Sequence, residues 1–397
     1  MLCCAKGVPV VPFPILAWYG LDAENATVAE FQNMCQAGFS INFSDYHNRD
    51  LNCRILEAAE NTEMRHLISD QRIESFRQGI DLSFAELDRV VADYKGYSSF
   101  YGYYLQDMPG TDDFQSLGAL VKYLRNRDPQ HPTFINLLPI YATPMEMNAP
   151  DYQTYVDEFL HTVKPSFLSF SHVPILQSGL RQDYYLNLEI IRAASLKNGI
   201  PFWAAVLSTT LDYYPQPAPS HLRMQVYSAL AYGAKGLHYY RYSIPPVDNY
   251  NYTHTLMDIE GNPTKIYSFA MVINNEVKKI SPVLTDLYST GVYHSNPVPL
   301  GCSDLAADLN IIKIEGNSIL AGFFKNKKKE KYVLLVNRNY NYGVKPRIYF
   351  SAETKKIIEV PKDNTNPLII EWLDDEMEKS YPILFKAGDG RLFRLID

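Results

Sequence analysis

The chain has few cysteines, no long apolar run and no surplus of positive charge, and each shortage closes off a class of protein. Five cysteines in 397 residues (Cys3, Cys4, Cys35, Cys53 and Cys302) follow no metal-ligand spacing and make no even set. Neither a zinc module nor a disulfide scaffold is indicated, and free thiols are expected. No apolar stretch reaches the ~18 residues of a membrane span, so no transmembrane segment is expected. The formal charge is −7 and the pI near 5.8, which gives no reason to expect nucleic acid as a partner. The one basic run, Lys325 to Lys331, lies between two apolar runs and reads as a solvated hairpin tip. Also missing are a glycine-rich phosphate loop, a paired-histidine zinc motif and a Gly-x-Ser-x-Gly elbow, so no cofactor and no metal is expected.

What is present is a core-forming composition rich in tyrosine. Hydrophobic residues make up 46% and charged residues 20%, ordinary for a folded chain and against extensive disorder. The thirty tyrosines carry both a flat apolar face and a hydroxyl. Such a residue suits the face and edge of a sugar ring, and suits a strand or a core equally well. The start, MLCCAKGVPVVPFP, lacks a full signal peptide. Cys3 or Cys4 leaves open a truncated lipoprotein signal and hence a periplasmic or surface location; an unremarkable start points to the cytoplasm. Sequons at Asn25, Asn42 and Asn251 carry no weight without a secretory context.

Eight short strand-like runs recur at about 25 to 35 residues, the length of one strand, one helix and two loops. They are Ile15 to Tyr19, Phe39 to Phe43, His66 to Ser69, Tyr101 to Gln106, Phe134 to Leu138, Phe167 to Phe170, Phe202 to Leu207 and Leu237 to Tyr242. Helical patterns fill the gaps. Thr27 with Glu30 and Ser83 with Glu86 have the spacing of capping boxes. Tyr152, Tyr155, Val156, Phe159 and Val163 line one helical face. Past His294 the texture changes to strand-like runs without intervening helix, from Asn310 to Ile314 through Leu368 to Trp372, with a last turn and strand near Gly388 to Leu395. The expected fold is α/β: a (β/α)8 TIM barrel over 1–291, followed by a small all-β sandwich over 292–397.

In such a barrel, function belongs to the carboxyl ends of the strands. Strand one ends in Trp18, Tyr19 and Asp22; strand two in Asn42, Asp45, Tyr46 and His47; strand three in Asp70 and Arg72. Strand four gives Gln106, Asp107 and Met108; strand five Asn136 and Tyr141; strand six Ser171 and His172. Strand seven carries Trp203 within it and Ser208, Thr209 and Asp212 beyond, and strand eight ends in Tyr240, Arg241 and Tyr242. Aromatic faces stack on the C–H side of a sugar while Asn, Asp and His bond its hydroxyls, so this rim suits a carbohydrate ligand. Each residue also has a structural alternative. Trp203 fits a barrel interior as well as a stacking platform, and Asp107 to Gly110 also reads as a turn.

Several stretches resemble a family of bacterial glycoside hydrolase-like proteins with a β-galactosidase-type barrel: PILAWYG from Pro14, YGYYLQDMPG from Tyr101, INLLPIYA from Ile135, FLSFSHVP from Phe167, IPFWAAVLS from Ile200 and ALAYGAKGLHYYRY from Ala229. The resemblance spans most of the chain and implies a barrel, a sugar substrate and a C-terminal β-domain. It also implies a proton-donating Glu in an Asp-Glu-Pro motif at the end of strand four. Here that motif is Asp107-Met108-Pro109. Two further strand ends depart from the family pattern: Ser171 stands where an acid is expected, and Arg241 where a threonine is.

Glycoside hydrolysis needs two carboxyl groups about 5 to 9.5 Å apart. The expectation is therefore a glycan-recognising protein in which Asp107 and His172 carry any surviving hydrolysis of O-glycosidic bonds. Trp18, Asp45, Tyr46, Asp70, Met108, Asn136, Tyr141, Ser171, Trp203, Tyr240 and Arg241 would line the site. The alternatives are a non-catalytic glycan-binding pseudoenzyme and a scaffold for protein assembly. The sequence leaves the sugar, the linkage and the oligomeric state undefined.

Overall fold

The structure, a computed structural model, describes residues 13–80, 83–211, 214–244, 252–305, 310–373 and 378–397. Cys3, Cys4, Asp212 and the Asn251 sequon lie outside the described residues. Eight parallel strands form a closed barrel: β1 (Ile15–Trp18), β2 (Ile41–Phe43), β3 (Arg65–Ile68), β4 (Phe100–Asp107), β5 (Thr133–Leu137), β6 (Leu168–Phe170), β7 (Phe202–Leu207) and β8 (Gly236–Tyr240). Each pairs with its neighbours in sequence order, and β1 closes the ring by pairing Ile15 with Leu237 on one side and Leu16 with Ile41 on the other.

Among the described residues ten α-helices accompany the strands: α1 (Val28–Gln36), α2 (Arg49–Ala59), α3 (Gln71–Arg77), α4 (Phe84–Tyr94), α5 (Phe114–Arg127), the short α6 (Pro144–Met147), α7 (Tyr152–Thr162), α8 (Tyr184–Asn198), α9 (Pro219–Ala231) and α10 (Lys265–Leu284). The expected cap at Thr27 forms, its hydroxyl accepting from the Glu30 amide at 3.2 Å. Ser83 takes the N-cap place of α4 without a side-chain bond to the helix amides. The complete capping box stands instead at Thr143 and Glu146.

Strand alternation divides the side chains between two cores. Leu16, Trp18, Ile41, Phe43, Leu67, Tyr104, Phe134, Phe167 and Trp203 form a cluster of their own inside the ring. Their neighbours Ile15, Ala17, Tyr103, Leu137, Leu168 and Tyr239 join the large core shared with the helices. The interior is thus a packed aromatic plug rather than a pore, as a barrel of eight strands requires.

After α10 come the antiparallel strands β9 (Tyr288–His294), β10 (Ile311–Glu315), β11 (Ile319–Lys325), β12 (Lys331–Asn337), β13 (Arg347–Phe350), β14 (Lys356–Glu359), β15 (Ile369–Glu371), β16 (Ser380–Pro382) and β17 (Gly390–Ile396). They make a six-stranded sheet in the order β9-β11-β12-β17-β14-β15 and a three-stranded sheet in the order β10-β13-β16. The expected division after residue 291 falls inside β9, and pairing of that strand with β11 from Tyr288 onward assigns all of it to the second layer.

Alternation also explains how the two parts are joined. Leu320, Phe324, Leu334 and Val336 belong to the barrel's helix-side core, whereas Ile319, Ala321, Phe323, Val333 and Leu335 face the sandwich core with Ile348, Phe350 and Ile383. At the closest approach Gly322 of β11 meets α9, where an added Cβ would sit 2.1 Å from the Ala231 carbonyl oxygen. Backbone cannot yield as a side-chain end does. Gly322→Ala is therefore expected to cost about 1–3 kcal/mol, read as a lower urea midpoint at unchanged m-value. An unchanged midpoint would show that β11 does not rest on α9.

Candidate active site

The polar residues collect just beyond the carboxyl edge of the aromatic plug. Asn136, inward-facing on β5 two residues after Phe134, is 1% exposed and makes three side-chain bonds. Its Nδ2 donates to Asp107 Oδ1 and to Ser171 Oγ, each at 2.8 Å. Its Oδ1 accepts from Ser169 Oγ at 3.0 Å. One amide thus ties together the ends of β4, β5 and β6.

Asp107 sits where β4 breaks register with β5, the irregularity falling between Tyr104 and Gln106. The turn after it is held by a Met108 amide bond to the Asn136 carbonyl at 2.7 Å and by the Tyr155 hydroxyl bonded to the Pro109 carbonyl at 2.7 Å. The left-handed residue of this turn is Met108, with φ 49°, rather than Gly110. A bulky residue in that region is uncommon and strained, and such positions gather at functional sites. Met108 is 42% exposed, so its side chain stands at the rim.

Desolvation in this setting raises the Asp107 pKa to about 6; the nearby Asp45 charge adds to the rise, while the Asn136 bond and the Met108 amide oppose it. The hydroxyl of Tyr19, just after β1, is pushed up to about 12 by burial and then by the charges of Asp45 and Asp107, with Arg241 pulling the other way. Asp45, Asp107 and Arg241 therefore all act on one phenol. That places the ends of β1, β2, β4 and β8 around a common mouth. The Arg241 guanidinium lies 4.4 Å from the Tyr19 ring centre and 4.6 Å from that of Tyr252, and its Nε donates to the Ser243 carbonyl at 2.7 Å. Arg241 is only 6% exposed, so it is a buried, stacked cation. Tyr240 bonds Tyr252 between hydroxyls at 2.6 Å. Tyr46 remains 39% exposed beside Asp45, and Asp45 faces His47 Nε2 at 3.1 Å.

Four of the expected residues do other work. Asp70 is 3% exposed, caps α3, and spends both oxygens on Arg72 and on the Tyr94 hydroxyl at 2.6 Å. It is a helix cap and ion-pair anchor. Trp203 lies at the amino end of β7 and stacks on Phe167 inside the barrel, ring centres 4.8 Å apart. Trp18 is 2% exposed and fills the plug against Phe43, Phe134 and His238. Neither tryptophan offers a free face. His172 is 2% exposed, with Nε2 at 3.2 Å from Asp183 Oδ1 at the start of α8 and its ring edge-on to Tyr141. Burial holds its pKa below the ordinary imidazole value. It pins the β6 loop to α8. Tyr141 carries the Arg181 guanidinium over its ring at 4.0 Å.

Sequence reasoning did not single out Ser169 and His238, which lie within β6 and β8 rather than at their ends. The available signal was alternation, since both fall on the inward phase of strands otherwise filled by apolar residues. Among the described residues no three His, Cys, Asp or Glu side chains group closely enough to hold a metal ion, and no helix is long and apolar enough to cross a membrane.

A closed parallel barrel with its polar cluster at the carboxyl ends, followed by a β-sandwich, defines the structural class. No protein-family model matches the chain, and no curated protein sequence does. Solved structures do match in fold. A β-galactosidase from Bacillus circulans sp. alkalophilus superposes with a TM-score of 0.65 at 8% identity, covering 97% of this chain and 99% of that one. A β-galactosidase from the psychrophilic Marinomonas ef1 gives 0.55 at 10% identity over 70% of this chain. The match spans 62% of that protein's length. At these identities the likeness concerns the fold alone, one shared with these two β-galactosidases.

The Asp107 shift has a stability consequence. Between the ordinary carboxyl value of 3.8 and about 6 the folded chain binds more protons than the unfolded one, so stability falls as pH rises through that window. The ceiling on this cost is about 3 kcal/mol, reduced because part of Asp107 opens to solvent in the mouth. Asp107→Asn keeps the Asn136 bond and is expected to stabilise the protein by about 1–2 kcal/mol at pH 7.5 and by nothing at pH 4, measured by urea unfolding. Equal effects at both pH values would contradict the raised pKa.

Proposed function

We propose that the protein recognises a glycan at the carboxyl-end mouth of its barrel and hydrolyses O-glycosidic bonds there, with Asp107 as general acid. The observation that carries this reading is a half-buried carboxyl group, Asp107, bonded to the buried Asn136 amide at 2.8 Å and with its pKa raised by desolvation, at a strand end that also gathers Asp45, Tyr19 and Arg241. Asp45, whose charge acts on Asp107, is the second carboxylate of this reading, in the role of nucleophile or of the base that activates water. Tyr46 and Tyr240 supply rim surface for the ring faces of the sugar, and Ser171 and Asn136 supply hydrogen-bonding groups to its hydroxyls. His172 acts through the β6 loop and Arg241 through the Tyr19 and Tyr252 rings that hold it.

A donor must be protonated to act, so kcat/KM is expected to fall as pH rises through about 6. Asp107→Asn should lose about 10² to 10⁴ in rate on aryl glycosides and remove that limb of the profile. Absence of turnover across a broad panel of aryl glycosides and oligosaccharides would end the catalytic reading.

One observation favours a second reading, a glycan-binding protein without turnover. Met108 occupies the rim position at which the resemblance puts the donor Glu, and it is exposed. The two readings separate in Met108→Glu. If Asp107 is the acid, the added carboxyl changes the rate little; if the donor is missing, it raises hydrolysis by at least ~10². Calorimetric sugar binding by the unaltered protein, without product, accompanies the second outcome.

A further inference from the structure

We infer that Ser169 and His238 are positioning residues for Asp107: together they lock the Asn136 amide so that its NH2 group, and not its carbonyl, faces the carboxyl. The inference rests on the proposal that Asp107 is the acid of the site, and it deepens that proposal by naming what orients the amide that bonds the acid.

A carboxamide presents two donors at one end and an acceptor at the other, and a half-turn about its terminal torsion exchanges them. At Asn136 the structure sets Nδ2 toward Asp107 and Ser171 and Oδ1 toward Ser169. Its Oδ1 faces Ser169 Oγ at 3.0 Å, which uses the only proton that the hydroxyl has. Ser169 Oγ also lies 3.3 Å from His238 Nε2. With its proton already directed to Asn136, Ser169 can only accept there, so the imidazole carries its hydrogen on Nε2. His238 Nδ1 is buried and makes no hydrogen bond within the described residues, as suits the bare nitrogen of that tautomer. Burial also draws the His238 pKa down to about 3, so the ring is neutral at physiological pH; the Phe170 carbonyl, which opposes the shift by bonding the ring, shares the Nε2 hydrogen with Ser169 in this tautomer.

The chain therefore runs one way, from His238 through Ser169 and Asn136 to Asp107. Every member but the last is almost wholly enclosed, with Ser169 at 0% exposure and Asn136 and His238 at 1% each. Successive bonds pointing in one direction polarise one another. The donor end of the amide favours the ionised carboxylate and so limits how far desolvation lifts Asp107. Other groups acting around it are Asp45 from the loop after β2, the phenols of Tyr19 after β1 and Tyr104 on β4, Tyr155 of α7, and Arg241 after β8, which acts on the shared Tyr19 phenol. None of these orients the amide. If the chain is cut, Asn136 is free to turn its carbonyl toward Asp107, an arrangement that suits only the protonated acid.

The test is titration of the Asp107 carboxyl carbon by 13C NMR in protein labelled at aspartate, assigned with Asp107→Asn. Ser169→Ala should raise its pKa by about 0.5–1 unit, His238→Phe should shift it the same way by less, and His238→Gln, which retains an N–H donor, should restore it. Shifts within about 0.2 unit, or downward, in folded variants would overturn the inference. Should the variants not fold, the unaltered protein still decides: long-range 1H–15N spectra must show His238 protonated at Nε2, and a proton on Nδ1 instead would refute the chain's direction. No sugar enters either experiment, so this result and the outcome for glycoside hydrolysis stand or fall separately.

Discussion

Eight short parallel strands close into a ring only if their interior is filled, and the filling here sets where everything else goes. Leu16, Trp18, Phe43, Tyr104, Phe134 and Trp203 meet in one apolar cluster, and burial of large rings of this kind is the dominant favourable term in folding. Above it the ring still has to be filled, but now within reach of solvent. The inward positions change from aromatic to Asn136, Ser169, His238 and Asp107. A polar group in such a layer is tolerated only when hydrogen-bonded, and these side chains answer that requirement by bonding one another across four strands. The site follows from the packing problem: the plug excludes water from below, and the network above it keeps one carboxyl where desolvation alters its chemistry.

The second domain extends the same logic outward. Its larger sheet has two buried faces, one continuing the barrel's helix-side core and one closing the sandwich. Because Leu320 and Phe324 alternate with Ile319, Ala321 and Phe323 along a single strand, the two cores are coupled through one layer of backbone. The sandwich is therefore a buttress of α9, the helix that leads directly into β8 and Arg241.

Much of this was legible in the chain. The eight strand-like runs match the eight barrel strands to within a few residues, because parallel strands buried on both faces read as short apolar runs bounded by turn residues, here repeated at a regular spacing. Strand ends likewise brought Asp45, Asp107, Asn136, Ser171 and Arg241 forward, and the structure gathers those ends at one mouth. What the sequence concealed was direction and depth. Trp18 ends β1 and points into the plug, whereas Asp45 follows the neighbouring β2 on a loop whose geometry decides where its carboxyl acts. Asp70 looked like a strand-end acid and is a helix cap, since both roles ask for a carboxylate just after a strand. His172 sits next to Ser171 in sequence, yet Ser171 bonds Asn136 of β5 while His172 bonds Asp183 at the start of α8. Ser169 and His238 went unnoticed because a lone polar residue inside an apolar strand carries no motif; only the three-dimensional chain of donors gives it meaning.

Met108 concentrates the remaining tension. It occupies a strained backbone position beside the acid and contributes no charge, while Asp107 behind it has the desolvation that a donor needs. The account stands on the claim that a sugar is held between Asp107 and Asp45. A crystal structure of the protein soaked with oligosaccharides tests this most directly. The expected result is a ring bonded to both carboxyl groups, which would lie about 5–9.5 Å apart across it. A mouth that stays empty while sugar binds elsewhere, or carboxyl groups separated beyond that span, would contradict it.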